Sequence, residues 1–218
     1  MKLLCVSDII DPLIYTDSLR ETFADADLIL SAGDLPQDYL EFIAGTLNKP
    51  LLFVLGNDHI ELENLSGGRG CINIDNKVRM EKGLIVAGLG GCMRRQKSQA
   101  AQSPARNIYP KNEFTSFQMY LRILKLLPAL FFNRLFHGRY VDILLTHACP
   151  LGIHDKKDAY YRGFKSFLVF MKIFKPKYLV HGHIHLYDTS QERTTKYFDT
   201  LVVNAYSYYA IDTGEKTP

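Results

Sequence analysis

Three stretches decide the fold: KLLCVSD at residues 2–8, DLILSAGD at 27–34 and PLLFVLGN at 50–57. Each is a short apolar run that stops at an oxygen-bearing side chain, namely Asp8, Asp34 and Asn57. The runs are apolar throughout instead of alternating, as expected of strands covered on both faces. Between them, residues 16–24 and 38–47 read as helices, the second closed by the nearby Pro50. Strand, helix, strand, helix, strand with tight loops is a βαβαβ unit, which predicts a parallel sheet with right-handed crossovers.

The pattern returns further along. His147 follows Ile143-Leu144-Leu145, and the pair His183 and His185 follows Tyr178-Leu179-Val180. Residues 72–74, 84–89, 194–198, 201–204 and 208–211 read as further strands. A helical period over 115–127 is expected to break at Pro128 and resume over 129–136, and another helix is expected from about 161 to 174. With no repeat, low-complexity tract or linker, residues 1–218 read as one domain.

Composition narrows the function. A hydrophobic share of 47% and a charged share of 22% describe an ordinary globular chain. A formal charge of +3 with no extended basic face argues against nucleic acid as a partner. The apolar run before Asp8 is too short for a signal peptide, and no uncharged stretch approaches the roughly 18–20 residues of a spanning helix. Cys5, Cys71, Cys92 and Cys149 form no CxxC pair and read as reduced thiols, which points to the cytoplasm. Cys149 lies two residues from His147, but a small buried hydrophobe explains it better than a ligand.

In α/β sheets, side chains converge where strands run out at their carboxyl ends. Carboxylate oxygen, amide oxygen and imidazole nitrogen together suit Mn, Fe or Zn better than calcium, so one or two divalent ions per chain are expected. A carboxylate such as Asp34 can bridge two cations about 3.5–4 Å apart, which hold an activated hydroxide and clamp an in-line phosphoryl displacement. Taken singly, Asp8, Gly33-Asp34 and Gly56-Asn57 have plain readings as caps or turns, and His147 as a hydrogen-bonded core histidine. Five such clusters, all at strand ends, are not explained that way.

Asp8, Gly33-Asp34, Gly56-Asn57, His147 and Gly182-His183-Ile184-His185 together resemble the calcineurin-like metallophosphoesterases over about residues 2–205. The resemblance implies two facing mixed β-sheets flanked by helices, a four-layer α/β/β/α sandwich, with a dinuclear centre at the strand ends. It places Asp34 between both metals, Asp8 and His185 on the first, and Asn57, His147 and His183 on the second. Two departures follow. Where the family has Asp-x-His, this chain has Asp8-Ile9-Ile10, so the first metal loses an imidazole and should bind more weakly; the neighbouring Asp11 is a possible substitute. Where the family has Gly-Asn-His-Asp, this chain has Gly56-Asn57-Asp58-His59. Either His59 becomes the acid with Asp58 orienting it, or Asp58 faces the phosphate, or neither is catalytic.

Weaker candidates complete the expectation. His154 in the loop after His147, and Arg94 with Arg95 after a double glycine, are placed to touch substrate. His181 reads as structural, and His137 as a residue at a helix C-terminus. The apolar segment 119–136 carries Arg122, Lys125 and Arg134; a helical cover for the sandwich, or a contact within a homo-oligomer, is preferred there to an anionic membrane surface. The expected activity is hydrolysis of a phosphodiester or small phosphomonoester. The rival is a protein of the same fold with an eroded site, serving as a non-catalytic scaffold.

Overall fold

The apolar runs assemble into two sheets, seen in a computed structural model that describes residues 1–57, 70–94, 112–158, 160–188 and 191–214. In the first, β1 (Lys2–Ser7), β2 (Leu28–Ser31), β3 (Leu51–Phe53) and β4 (Cys71–Asn73) run parallel, and β13 (Ser207–Asp212) pairs antiparallel with β1. The second has β6 (Leu84–Leu89), β9 (Ile143–Thr146), β10 (Tyr178–His181) and β12 (Thr200–Asn204) in parallel. Antiparallel edges, β5 (Val78–Glu81) and β11 (Thr194–Tyr197), close it on both sides. A small parallel pair, β7 (Cys92–Met93) and β8 (Glu113–Phe114), stands apart.

Alternation along each strand sorts the side chains into layers. Leu3 and Cys5 of β1, Leu28 and Leu30 of β2, Ile143 and Leu145 of β9 and Val203 of β12 fill the space between the sheets. Their neighbours Leu4, Val6 and Ile29 turn the other way, onto α1 (Leu19–Thr22) and α2 (Gln37–Leu47). On the far side, Leu144, Leu179 and Val202 meet α3 (Ser116–His137) and α4 (Lys165–Phe174). The result is the four-layer α/β/β/α sandwich, and it explains why the strands lack alternating polarity.

Three expectations are corrected by local physics, and one strand goes unannounced. The helix expected over 16–24 is a single turn, because Thr16 and Ser18 hydroxyls bond each other at 2.6 Å and the Asp11 carboxylate caps Leu13 N–H. Pro128 does not break α3, which runs unbroken for 22 residues. Pro128 and Leu124, whose carbonyl it leaves without a helical donor, both lie on the exposed side, facing solvent. The helix expected from about 161 starts only at Lys165, since Phe164 bridges to Pro150 and a Cβ at Gly163 would meet the Pro150 carbonyl carbon at 2.4 Å. The edge strand β5 has an Arg79–Glu81 ion pair and little burial, so no apolar period announced it.

Leu52, fully buried between the sheets, offers a stability test. Leu52→Ala is expected to lower unfolding free energy by about 2–5 kcal/mol in chemical denaturation, with the far-ultraviolet spectrum unchanged.

Candidate metal centre

Strands from both sheets end on one edge, and each delivers one or two polar side chains there. Asp8 follows β1, Asp34 and Asn57 lie shortly past β2 and β3, His147 follows β9, and His183 and His185 follow β10. The backbone turns sharply at these points. Asp8, Asp34 and His183 all adopt left-handed conformations, with φ of 69°, 56° and 65°, each costing about 1–3 kcal/mol in a non-glycine residue. Two glycines make room for the carboxylates. A Cβ at Gly56 would fall 1.8 Å from Asp34 Oδ1, and one at Gly182 would fall 1.9 Å from Ser7 Oγ and 2.6 Å from Asp8 Oδ2.

The hydrogen bonds of His147 define the centre. Its Nδ1 donates to the Ala32 carbonyl at 2.8 Å. Its Nε2 faces two further oxygens, Asn57 Oδ1 at 2.9 Å and Asp34 Oδ2 at 3.2 Å. Asn57 is oriented by its own amide N–H, which donates to the Tyr160 hydroxyl at 2.6 Å. A neutral ring protonated at Nδ1 would turn its Nε2 lone pair onto oxygen lone pairs, so this arrangement calls for a positive centre between them. Without a cation, a proton fills the role: burial opposes the charged ring, but the Asp34 carboxylate outweighs it and pushes the pKa up to about 9. A cation takes the place of that proton on binding.

His183 is prepared differently. Its Nε2 donates to the Tyr160 carbonyl at 3.1 Å. Burial first, and then the neighbouring His147, bring its pKa down to about 3. The ring is therefore neutral with its lone pair on Nδ1, the form that ligates metals. Donor atoms of Asp34, His147 and His183 all lie within 4.8 Å of one another. One carboxylate, two imidazoles and the Asn57 amide oxygen fit a borderline transition-metal cation.

Asp8 and His185 flank this group. The Asp8 side chain is 1% exposed, and its two oxygens share the His183 backbone N–H at 3.0 Å each. Burial raises its pKa, and Asp34 adds to the rise, so two carboxylates are packed together with little solvent to hold their charge. His185 Nε2 stands 3.8 Å from Asp8 Oδ1 while its Nδ1 meets the Tyr187 hydroxyl at 2.9 Å. Ile9 and Ile10 are exposed and add no ligand. Nor is Asp11 turned to the centre: its carboxylate accepts from the Ser207 hydroxyl and from Leu13 N–H.

The other sequence candidates lie elsewhere. His154 Nδ1 meets His181 Nε2 at 2.8 Å, and its Nε2 meets the Thr195 hydroxyl at 2.9 Å. His181 Nδ1 in turn donates to the Gly182 carbonyl at 2.9 Å. Both rings are held neutral, His181 by burial and then by the His154 field, down to about 3, and His154 by burial. This chain of bonds braces the peptide just before His183, and both His154 nitrogens are used in it. The Arg94 guanidinium donates to the Glu113 carbonyl at 3.2 Å and holds β7 to β8. Asp58, His59 and Arg95 lie outside the described residues.

Sequence reasoning missed Tyr160, which touches Asn57 and His183 at once, and Lys156, whose ammonium reaches the His185 carbonyl at 3.4 Å. Nothing marks either one in the sequence, since both sit in a polar loop without periodicity. Lys156, Lys157 and Arg162, with Asp155, line a pocket of about 290 Å³.

A family model described as calcineurin-like phosphoesterase matches residues 1–187. The chain belongs to that family. No curated protein matches it, whereas solved structures do. TT1561 of Thermus thermophilus aligns with TM-score 0.61 at 14% identity, covering 94% of this chain and 89% of that one. Phosphopantetheinyl hydrolase from Mycobacterium tuberculosis aligns with TM-score 0.51 at 15% identity, covering 94% and 88%. At such identities these likenesses establish the shared fold. The family implies divalent metal ions, in keeping with the ligand set at the strand ends.

Gly56→Ala tests the fit of backbone to carboxylate. The added methyl displaces Asp34, and affinity for Mn²⁺ in isothermal titration should fall at least about tenfold while the circular dichroism spectrum is retained.

Proposed function

We propose that the chain is a single-domain, metal-dependent phosphoesterase acting on a phosphodiester or small phosphomonoester. The observation that carries this reading is the convergence of Asp34, His147 and His183, whose donor atoms all lie within 4.8 Å of one another, with the Asn57 amide oxygen 2.9 Å from His147 Nε2. Asp34, Asn57, His147 and His183 would hold one cation, and Asp8 and His185, with Asp34, would hold a second. When bound, such ions supply Lewis-acid activation of water and neutralise phosphoryl oxygens.

The chain's own groups do the rest. Tyr160 keeps the Asn57 amide turned so that its oxygen, not its nitrogen, faces the site. The Ala32 carbonyl fixes the His147 tautomer, and the His154–His181 pair steadies the turn that presents His183. Lys156, Lys157 and Arg162, with Arg94, draw in the anionic substrate, a role for which His154 is less suited because both its ring nitrogens are already engaged. His59 or a water protonates the leaving oxygen, with Asp58 as the candidate partner of His59. Four buried cysteines, none of them in a disulfide, support a reducing cytoplasm as the compartment.

The test pairs metal analysis of the purified chain with hydrolysis of bis(p-nitrophenyl) phosphate in added Mn²⁺. Retained metal and turnover are expected, and His147→Ala or Asn57→Ala should each lose at least about 100-fold in kcat/KM. No retained metal, with no turnover in Mn²⁺, Fe²⁺ or Zn²⁺, would instead establish the scaffold alternative. Asymmetry between the two metal positions is separately measurable. Titration should show a second ion bound at least about tenfold more weakly than the first, and Ile10→His should narrow that gap by restoring an imidazole.

A further inference from the structure

Helix α3 is apolar on two opposite faces. Met119, Ile123, Leu126 and Leu130 are buried against the second sheet. Phe117, Leu121, Leu124, Phe131, Phe132 and Leu135 point the other way and are between 42% and 78% exposed. Their offsets of 4, 7, 14, 15 and 18 residues from Phe117 put them in one stripe along the whole outer side of the helix. Ile173 of α4 continues the stripe across an apolar groove of about 290 Å³ between the two helices. A helix apolar all round is normally covered on every side, and an exposed patch of this extent marks an interaction surface.

Charge identifies what covers it. Residues 114–141 and 159–187 contain no Asp or Glu, although the chain as a whole has 23. Arg122 is turned inward to Asp75 at 2.6 Å, and Lys175 pairs with Asp199 at 3.4 Å, so neither counts at the rim. Lys125, Arg134, Lys165 and Lys172 remain exposed around the stripe. A second copy of the chain would place this same patch against itself, cation to cation, and neither helix carries an acid to answer it. Anionic lipid headgroups answer it directly, while the acyl boundary accepts the Phe and Leu side chains.

We infer that the outer face of α3 and α4 docks on an anionic lipid surface. The 22-residue helix lies in the interface plane, about 33 Å along the membrane. No described helix is long and apolar enough to cross one, so the mode is lying on, not spanning. This inference does not depend on the phosphoesterase reading.

Co-sedimentation of the full chain with phosphatidylcholine vesicles, with and without phosphatidylglycerol, tests it. Binding is expected only with phosphatidylglycerol, and it should weaken as salt rises. The chain has no Trp, so Phe132→Trp supplies a single reporter whose emission should shift to the blue on the anionic vesicles. Charge reversal by Lys125→Glu with Lys172→Glu should weaken binding about tenfold or more. Leu124→Ser with Phe131→Ser should abolish it; as exposed positions, these leave the core intact, which circular dichroism verifies. A chain that stays in the supernatant with both vesicles overturns the proposal. So does a stable dimer in sedimentation velocity that disperses on Leu124→Ser with Phe131→Ser.

Discussion

The constraint on which the rest of the site depends is the crowding of lone pairs around His147 Nε2. Asp34 and Asn57 oxygens approach it from the first sheet, and Ala32 occupies the other nitrogen. The Asp8 carboxylate is buried nearby, its two oxygens sharing one backbone N–H. In a medium of low polarizability such a cluster is unfavourable unless positive charge sits inside it. The protein makes this arrangement inescapable by steric means. Gly56 and Gly182 let neighbouring backbone press within side-chain distance of both carboxylates, which are left with little exposure to water.

That cluster also joins the halves of the sandwich. Asp8, Asp34 and Asn57 come from the first sheet, His147 and His183 from the second. A cation held among them therefore cross-links two sheets that otherwise meet mainly through apolar side chains such as Leu30, Leu52, Leu145 and Val180. Binding energy at the edge would become folding energy for the whole, because the unfolded chain cannot assemble the same ligands. The left-handed backbone at Asp8, Asp34 and His183 costs stability at the same edge. Ligand placement and local strain are thus opposite sides of one arrangement, offset by what the site binds.

Legibility in the sequence followed the same physics. Buried strands with a polar residue at the end are readable because nearly every residue in them is apolar, and all six expected metal ligands do converge on one edge. Tyr160 and Lys156 were not readable, because a loop residue's partners depend on a path that no period encodes. His154 was readable as a polar residue near the site, yet not as one facing His181, since the distinction rests on a positive φ at His154 itself. Strand β5 failed for the converse reason: an edge strand with charged side chains looks like a turn. Pro128 misled because its cost depends on which side of the helix it occupies.

The same ambiguity attends α3 as a whole. From periodicity alone, an apolar helix with scattered cations fits a sandwich cover, an oligomer contact or a membrane-facing element equally well. The fold divides those possibilities by using up the inner stripe: Met119, Ile123, Leu126 and Leu130 are consumed by the second sheet, and Arg122 is drawn inward by Asp75. What remains outside is a second full stripe and the cations that no acid on either helix neutralises. A cover for the sandwich needs one apolar face, and a self-contact needs charges of both signs. The inner face already serves as the cover and leaves the outer one without a partner; one sign of charge disfavours a self-contact there, whereas an interface whose far side is hydrocarbon and whose near side is anionic accommodates both the apolar stripe and its cations.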